Sequence, residues 1–450
     1  MYKVANVRDE YNKRLITADQ AAAIVKNGDR IHFGTGCGTP VDIDIALGKR
    51  AEELRGVVVL STVAIRKQQF QAGKNSCTDN VAFTSAHFGG GDRAMSKEGR
   101  CWYMPMMFNE LPYLWTNNSN DIDIAVFQVG PMDAHGNFNL GPQVSDLWGV
   151  MQASKKIIVE VNENMPRCHG YKTEVNLAQV DYVVEGTNSA LAEIPSKDPS
   201  ETDRKIAEHV VSRIRDNSPL QLGIGSLPNC IGQMLADSDI KGLSGHSEML
   251  TDAYADLYAA GKLTSEKQLD PGKIVYTFAG GTKKLYDFID DNPICACAPV
   301  DYVNSVANIA KMDNFVSVNS CIQVDLYGQV CSESAGHQQI SGTGGQLDFV
   351  LGAFQSNGGQ SFLCTPATRT TRDGKMESLI APGLTPGSIV TTPRTATNYV
   401  VTEFGAANMK GKSTWERAEL LIGIAHPDFR DDLIKDAEKM GIWRNCNKKF

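Results

Sequence analysis

The chain has 450 residues, of which 42% are hydrophobic and 21% charged, with a formal net charge of −8. Such a length and composition fit two or three globular domains and exclude a disordered chain. The acidic balance gives no global basic field for nucleic acid or an anionic membrane, so a phosphate site has to be local.

The opening Met1-Tyr2-Lys3-Val4-Ala5-Asn6-Val7-Arg8-Asp9 lacks the apolar run of a secretory signal, and no segment is apolar for long enough to span a bilayer. The 11 scattered cysteines fit reduced thiols in a cytoplasm. Thr17 as N-cap and Gln20 closing a capping box predict a helix through Val25. Asn27-Gly28-Asp29 ends it. Arg30–Phe33 reads as a strand running into the glycine loop Gly34–Pro40. Helical spacing resumes over Asp42–Leu54, and Val57–Leu60 reads as a buried strand. Further on, Ala125–Val129 is a strand that enters the D-x-x-G turn Asp133-Ala134-His135-Gly136-Asn137.

The second half repeats this order. Ser200–Arg215 reads as a helix, broken at Asn217-Ser218-Pro219. Leu220–Leu222 is a strand running into Gly223-Ile224-Gly225-Ser226-Leu227-Pro228-Asn229, with a helix starting over Cys230–Leu235. Phe315–Asn319 is a strand entering Asp325-Leu326-Tyr327-Gly328-Gln329, about 190 residues beyond its counterpart. Aligning Leu243-Ser244 with Leu60-Ser61 puts Glu248 opposite Ile65, so only one copy carries an acid there. Ile194–Ser200 is rich in turn residues and is the expected linker, dividing the chain into 1–194 and 195–450. The expected fold is α/β, with two similar open, mostly parallel-sheet domains from a divergent internal duplication. Their ligands belong at the carboxyl ends of the strands.

Several motifs could carry chemistry. In Gly223–Leu227 the glycines admit close backbone approach, and the helix that follows offers N–H groups to an anion. Ser341-Gly342-Thr343-Gly344-Gly345-Gln346 could present backbone N–H groups to an oxyanion or a thioester carbonyl. Tight turns are the plain structural alternative for both. Gly405–Ser413 has P-loop elements, but five residues rather than four separate its glycines. Cys295-Ala296-Cys297 has no second pair at finger spacing, so no zinc site is expected. The histidines show neither an HExxH pair nor a GxSxG partner; His135 and His246 sit beside turns and read as structural. His426-Pro427 ends the amphipathic stretch Trp415–Ile424.

Taken together, Gly223–Pro228, Gly245-His246-Ser247-Glu248-Met249, Tyr302-Val303-Asn304, Asn319-Ser320, Asp325–Gln329, Gly342–Gly345, Val401–Gly405, Gly411-Lys412-Ser413 and His426–Arg430 resemble the class I coenzyme A transferases of the acetyl-CoA hydrolase/transferase group, of the butyryl-CoA:acetate and 4-hydroxybutyrate kind. The resemblance covers nearly the whole chain. It implies that the C-terminal domain carries the catalytic glutamate, Glu248, which becomes a glutamyl-CoA thioester, and the CoA-binding loop Gly223, Ile224, Gly225, Ser226 and Leu227. It also implies a Gly345 N–H and an Asn304 side chain at the reacting oxygen, Glu403 as a second active-site acid, and CoA contacts near Gly344, Gln323 and Arg372. Lys283, Lys284, Arg369, Arg372 and Lys375 are candidate cations for the CoA phosphates.

On this basis CoA moves from a short-chain acyl-CoA to acetate by ping-pong chemistry. Coenzyme A is part of the substrate and of the covalent intermediate; no tightly bound cofactor and no metal are implied. The expected partners are an acyl-CoA, a short-chain carboxylate and further copies of the chain in a homodimer or homotetramer, with neither nucleic acid nor membrane. The alternatives are an acyl-CoA hydrolase on the same scaffold, set apart by free CoA appearing without acetate, and a non-catalytic α/β ligand-binding module.

Overall fold

The computed structural model describes residues 6–66, 68–70, 79–117, 121–195, 197–448 and 450. Met1–Ala5 of the opening segment and Ser196 of the expected linker lie outside the described residues. The chain forms two units. One comprises Met1–Pro195, Glu248–Leu250 and Lys273–Val303; the other comprises Ser196–Ser247, Thr251–Gly272 and Asn304–Phe450.

The first unit is built on a seven-stranded sheet. Its strands are β1 (Arg30–Phe33), β2 (Val57–Ser61), β3 (Val81–Ser85), β4 (Cys101–Tyr103), β5 (Ile122–Val129), β6 (Ser154–Val161) and β7 (Tyr182–Glu185), in the order β7-β6-β5-β1-β2-β3-β4. All of these pairings are parallel. Apolar runs covered on both faces explain why β2 and β5 are almost wholly buried. Helix α1 (Asp42–Arg50) follows β1, and helix α2 (Leu147–Ala153) precedes β6. The Thr17 capping box forms as the sequence predicts, heading the helix Ala18–Ile24. The parallel strands Ile274–Ala279, Cys295–Cys297 and His169–Gly170 also belong to this unit.

In the second unit β8 (Pro219–Leu222), β9 (Ser244–Leu250, of which Ser244–Ser247 lie here), β10 (Val316–Ser320), β11 (Gln360–Cys364), β12 (Tyr399–Thr402) and β13 (Gly405–Asn408) follow the order β13-β12-β11-β10-β8-β9. All pairings are parallel except the β12–β13 hairpin. Helix α3 (Ser226–Asp237) follows β8, and helix α4 (Gln346–Gln355) precedes β11. Strand for strand, β12-β11-β10-β8-β9 repeats β7-β6-β5-β1-β2.

The two D-x-x-G turns match atom for atom. Asp133 Oδ1 accepts the N–H groups of His135 and Asn137; Asp325 Oδ1 accepts those of Tyr327 and Gln329. Gly136 and Gly328 take φ of 83° and 85°, where a side chain would be strained. Asn137 and Gln329 donate their side-chain amides to the same carboxylates. A turn this specific, after matching strands in matching sheets, identifies the halves as copies of one pattern.

Two expectations need correction. The helix α3 begins at Ser226 rather than Cys230, because Pro228 is tolerated in a first turn where no N–H is needed. His246 lies inside β9, not beside a turn, and is fully buried against Phe315 and Phe349. Gly405–Asn408, whose glycine spacing already departs from a P-loop, is a strand paired antiparallel to Tyr399–Thr402.

Candidate functional site

Glu248 lies in β9, and its register can be read from the strand pairs. In the first copy Ile31 pairs with Val59 and with Ile124. In the second, Leu220 pairs with Gly245 and with Val316. Ile124 and Val316 stand equally far ahead of their D-x-x-G turns. Gly245 therefore corresponds to Val59, and Glu248 corresponds to Thr62, not Ile65. The sequence alignment slipped because it was keyed on a shared Leu-Ser pair, whereas backbone hydrogen bonds set the true register. Ser247, one residue before Glu248, donates its hydroxyl toward the Leu222 carbonyl at 3.4 Å. Tyr254 ties the same strand end, donating to Leu220 O and accepting from Leu222 N–H. Glu248 itself is partly exposed in a strand whose other residues are buried.

The loop after β8 is Gly223–Gly225. Gly223 N–H bonds to Val318 O, and Gly225 adopts φ of 125°, a conformation that requires glycine. Ile224 is exposed, while Ser226 and Leu227 form the first turn of α3. The Ser226 hydroxyl donates to Asp203, a carboxylate that also caps the preceding helix. Beneath the loop lies a polar cluster: Ser317 and Asn319 both donate to Gln221 Oε1, at 2.7 and 3.1 Å.

Gly344 has φ of 50°, and Gly345 is the N-cap of α4 with φ of −92° and ψ of 9°. This is the same turn that Ser145 (φ 34°) and Asp146 (φ −100°, ψ 1°) make ahead of α2. In both copies the carbonyl of the second residue accepts the first helical bond, from Val150 or from Phe349. Asp146 thus occupies the first copy's version of the Gly345 position.

Asn304 is fully buried and donates its amide to Asp348 at 3.2 Å; Asp348 is itself fully buried on α4. Glu403 follows β12 and accepts the Ala367 N–H at 2.8 Å, which fixes the chain leaving β11. It also lies near Lys205, whose ammonium pKa is raised chiefly by Glu201, with Glu403 adding to the effect. Gln323 accepts Thr385 N–H at 2.8 Å. Arg372 sits exposed in the turn between strands Thr368–Thr370 and Met376–Ser378. Among the other candidate cations, Lys283, Arg369 and Lys375 pair with Asp287, Glu377 and Asp373.

Within the second unit, the ends of β8, β10, β11 and β12 bring the Gly223–Gly225 loop, Asn319 and Glu403 to one edge of a parallel sheet, the edge where such folds bind ligands. Arg372 stands apart in its hairpin. A cleft of about 650 Å³ in the first unit, lined by Tyr11, Asp133, Glu163 and Glu185 among others, contains none of these residues. Sequence reasoning missed Asp348 and Glu333, whose partners Asn304 and Thr391 are distant in the chain, whereas Asp203 caps its helix where the sequence puts it. Among the described residues no helix is long and apolar enough to cross a membrane.

Comparison with known proteins agrees with this architecture. The family profile of the acetyl-CoA hydrolase/transferase N-terminal domain matches residues 1–195, and that of the C-terminal domain matches residues 281–437. A butyryl-CoA:acetate CoA-transferase of Anaerostipes caccae is 48% identical over 98% of this chain and 99% of its own length. A 4-hydroxybutyrate coenzyme A transferase of Clostridium kluyveri is 40% identical over 95% of this chain and 98% of its own. The crystal structure of RipA from Yersinia pestis superposes with a TM-score of 0.90 at 34% identity, covering 97% of this chain and 100% of that one. With both domain profiles matched in order and relatives this similar along nearly the full length, the chain belongs to the acetyl-CoA hydrolase/transferase family.

Proposed function

We propose that this protein is a CoA-transferase that exchanges CoA between a short-chain acyl-CoA, butyryl-CoA or 4-hydroxybutyryl-CoA, and acetate through a glutamyl-CoA thioester. The observation that carries the proposal is the 48% identity, end to end, with a butyryl-CoA:acetate CoA-transferase. A Glu248 carboxylate oxygen attacks the acyl-CoA carbonyl and expels CoA thiolate, leaving an acyl-glutamyl anhydride. The thiolate attacks the glutamyl carbonyl and expels the first carboxylate, which leaves glutamyl-CoA. Acetate attacks the thioester, the thiolate departs, and it then attacks the acetyl carbonyl of the new anhydride. Acetyl-CoA leaves and the Glu248 carboxylate is restored. Each bond broken is matched by one of similar energy, so the cycle requires no ATP.

Each tetrahedral centre carries an oxyanion, for which the Gly345 N–H and Asn304 are the proposed donors. In the first copy the residues that correspond to 248 and 345, Thr62 and Asp146, are hydrogen-bonded to each other at 3.0 Å. The loop 223–227 and Gly344 are the proposed contacts of the CoA backbone, with Gln323 and Arg372 nearer its outer part and Glu403 as a second acid. Domain division at 194/195, a cytoplasmic location and a homodimer or homotetramer complete the proposal.

Intact-protein mass after mixing with butyryl-CoA is the test. The expected result is a CoA-sized adduct on Glu248 that acetate discharges as acetyl-CoA. Free CoA accumulating regardless of acetate, with no adduct, would overturn it in favour of hydrolysis.

A further inference from the structure

Gly344 and Gly345 need an external support that their first-copy counterparts do not. In the first copy the turn before α2 is held by its own side chain: Asp146 accepts from Thr35, Thr62 and Trp115. Gly345 has no side chain to do this, and Gly344 adds the freest backbone of any residue. A backbone N–H that must point at one place within a few tenths of an ångström cannot be left to such a turn alone.

Glu333 supplies the hold. It is 3% exposed, in a polar run that reads as surface in the sequence. Its Oε1 accepts the hydroxyls of Thr391 at 2.9 Å and Thr343 at 3.4 Å, and its Oε2 accepts Gln339 Nε2 at 3.3 Å. Its backbone carbonyl takes the N–H groups of Ile340 and Ser341, at 2.7 and 3.1 Å. One residue therefore grips the whole approach to the glycine turn, from 339 to 343. Next to Thr391, Thr392 accepts the side chain of Gln346, the first residue of α4, at 2.9 Å. The turn is thus fastened on both sides of the two glycines.

We propose that Glu333 is a positioning residue for the transfer reaction, holding the Gly344–Gly345 turn through Thr343 and Thr391 so that the Gly345 N–H stays aimed at the acyl oxygen. This rests on the transferase reading above. It touches no substrate, so its loss acts on the transition state more than on binding.

The test is steady-state kinetics of butyryl-CoA:acetate exchange for Glu333→Ala, Glu333→Gln and Thr343→Val, with thermal unfolding of each. Glu333→Ala is expected to lower kcat about 100-fold while KM for butyryl-CoA stays within about twofold. Glu333→Gln, which keeps an acceptor oxygen for the two hydroxyls, should recover most of that loss. Thr343→Val, which removes only the turn's own bond to the carboxylate, should lower kcat about tenfold and decides the matter if Glu333→Ala does not fold. Wild-type kcat in Thr343→Val and in folded Glu333→Ala, or a loss that appears in KM alone, overturns the proposal. Glu248→Ala run alongside separates the two ideas: if it still transfers CoA, the transferase mechanism fails first; if it is dead while the Glu333 variants are fully active, only the positioning role fails.

Discussion

The two copies of the α/β pattern are most different where they are most alike in backbone. At the turn before the fourth helix-to-strand unit, the first copy has Asp146 and the second has Gly345. At the end of the second strand of each copy, the first has Thr62 and the second has Glu248. At the head of the helix after the first strand, the first copy has a buried Glu160 accepting Val41 and Ile43 N–H groups, at 2.7 and 2.9 Å. The β5–β6 and β10–β11 pairs put Cys364 at the corresponding place in the second copy. In the first copy, then, a carboxylate stands at the turn and another occupies the helix N-terminus. In the second copy both are gone and one acid has appeared on the strand between. The first copy satisfies the polar groups at these places with its own carboxylates, and its sibling carries neither of them.

The sharpest way to break this comparison is to remove the acid that only the second copy has. Glu248→Ala should lower acetate-dependent acetyl-CoA formation by at least about 10⁴-fold, whereas Thr62→Ala should leave kcat within about twofold. Next comes refilling the cleared position. Gly345→Asp imports the first copy's residue at a φ of −92°, which any amino acid accepts, so backbone strain is not introduced. A loss of about 10³ in kcat is expected in a protein that still folds, checked by circular dichroism beside the rate.

The converse change tests the structural copy. Asp146→Ala should cost about 3 kcal/mol in denaturant unfolding, because it strips His32, Thr35, Thr62 and Trp115 of their shared buried acceptor. The rate per folded molecule should not change. Burial by itself would raise the Asp146 carboxyl, but the neighbouring His32 first, then Trp115 and Thr62, hold it below its ordinary 3.8. Its contribution is therefore fully present above about pH 4 and is lost as pH falls through the folded value; Asp146→Asn should flatten that acid limb. The smallest expected effect is Glu160→Ala, which uncaps α1 and should cost about 1–2 kcal/mol without altering KM for butyryl-CoA.

Much of this scaffold could be read from local signals. The Thr17–Gln20 box, the Arg30–Phe33 strand and the two aspartate turns each depend on a few adjacent residues, and each is where the sequence puts it. What failed was non-local. Ser244-Gly245-His246-Ser247 looks like a loop because polar residues and a glycine normally stay outside, yet it is a buried strand, in which the Ser247 hydroxyl meets the Leu222 carbonyl. The alignment of Glu248 slipped by three positions for the same reason: nothing in the stretch itself records which residue on β8 it faces. Asp348 and Glu333 escaped notice because an acid's burial depends on donors such as Asn304 and Thr391, far away in the chain.

The cysteines carry a last consequence. Among the described residues, Cys37, Cys101, Cys168, Cys230, Cys295, Cys297, Cys321, Cys331 and Cys364 are all buried, and burial pushes the thiols of Cys37, Cys295 and Cys297 up to about 12. Thiolates form poorly there, so these sulfurs neither add to disulfides nor yield readily to oxidants. Cys446 alone among them is exposed. A catalyst whose daily traffic is a free thiol thus keeps nine sulfurs of its own out of reach, and Cys446, near its C-terminus, is the handle among the described residues where a maleimide dye or a mixed disulfide would attach.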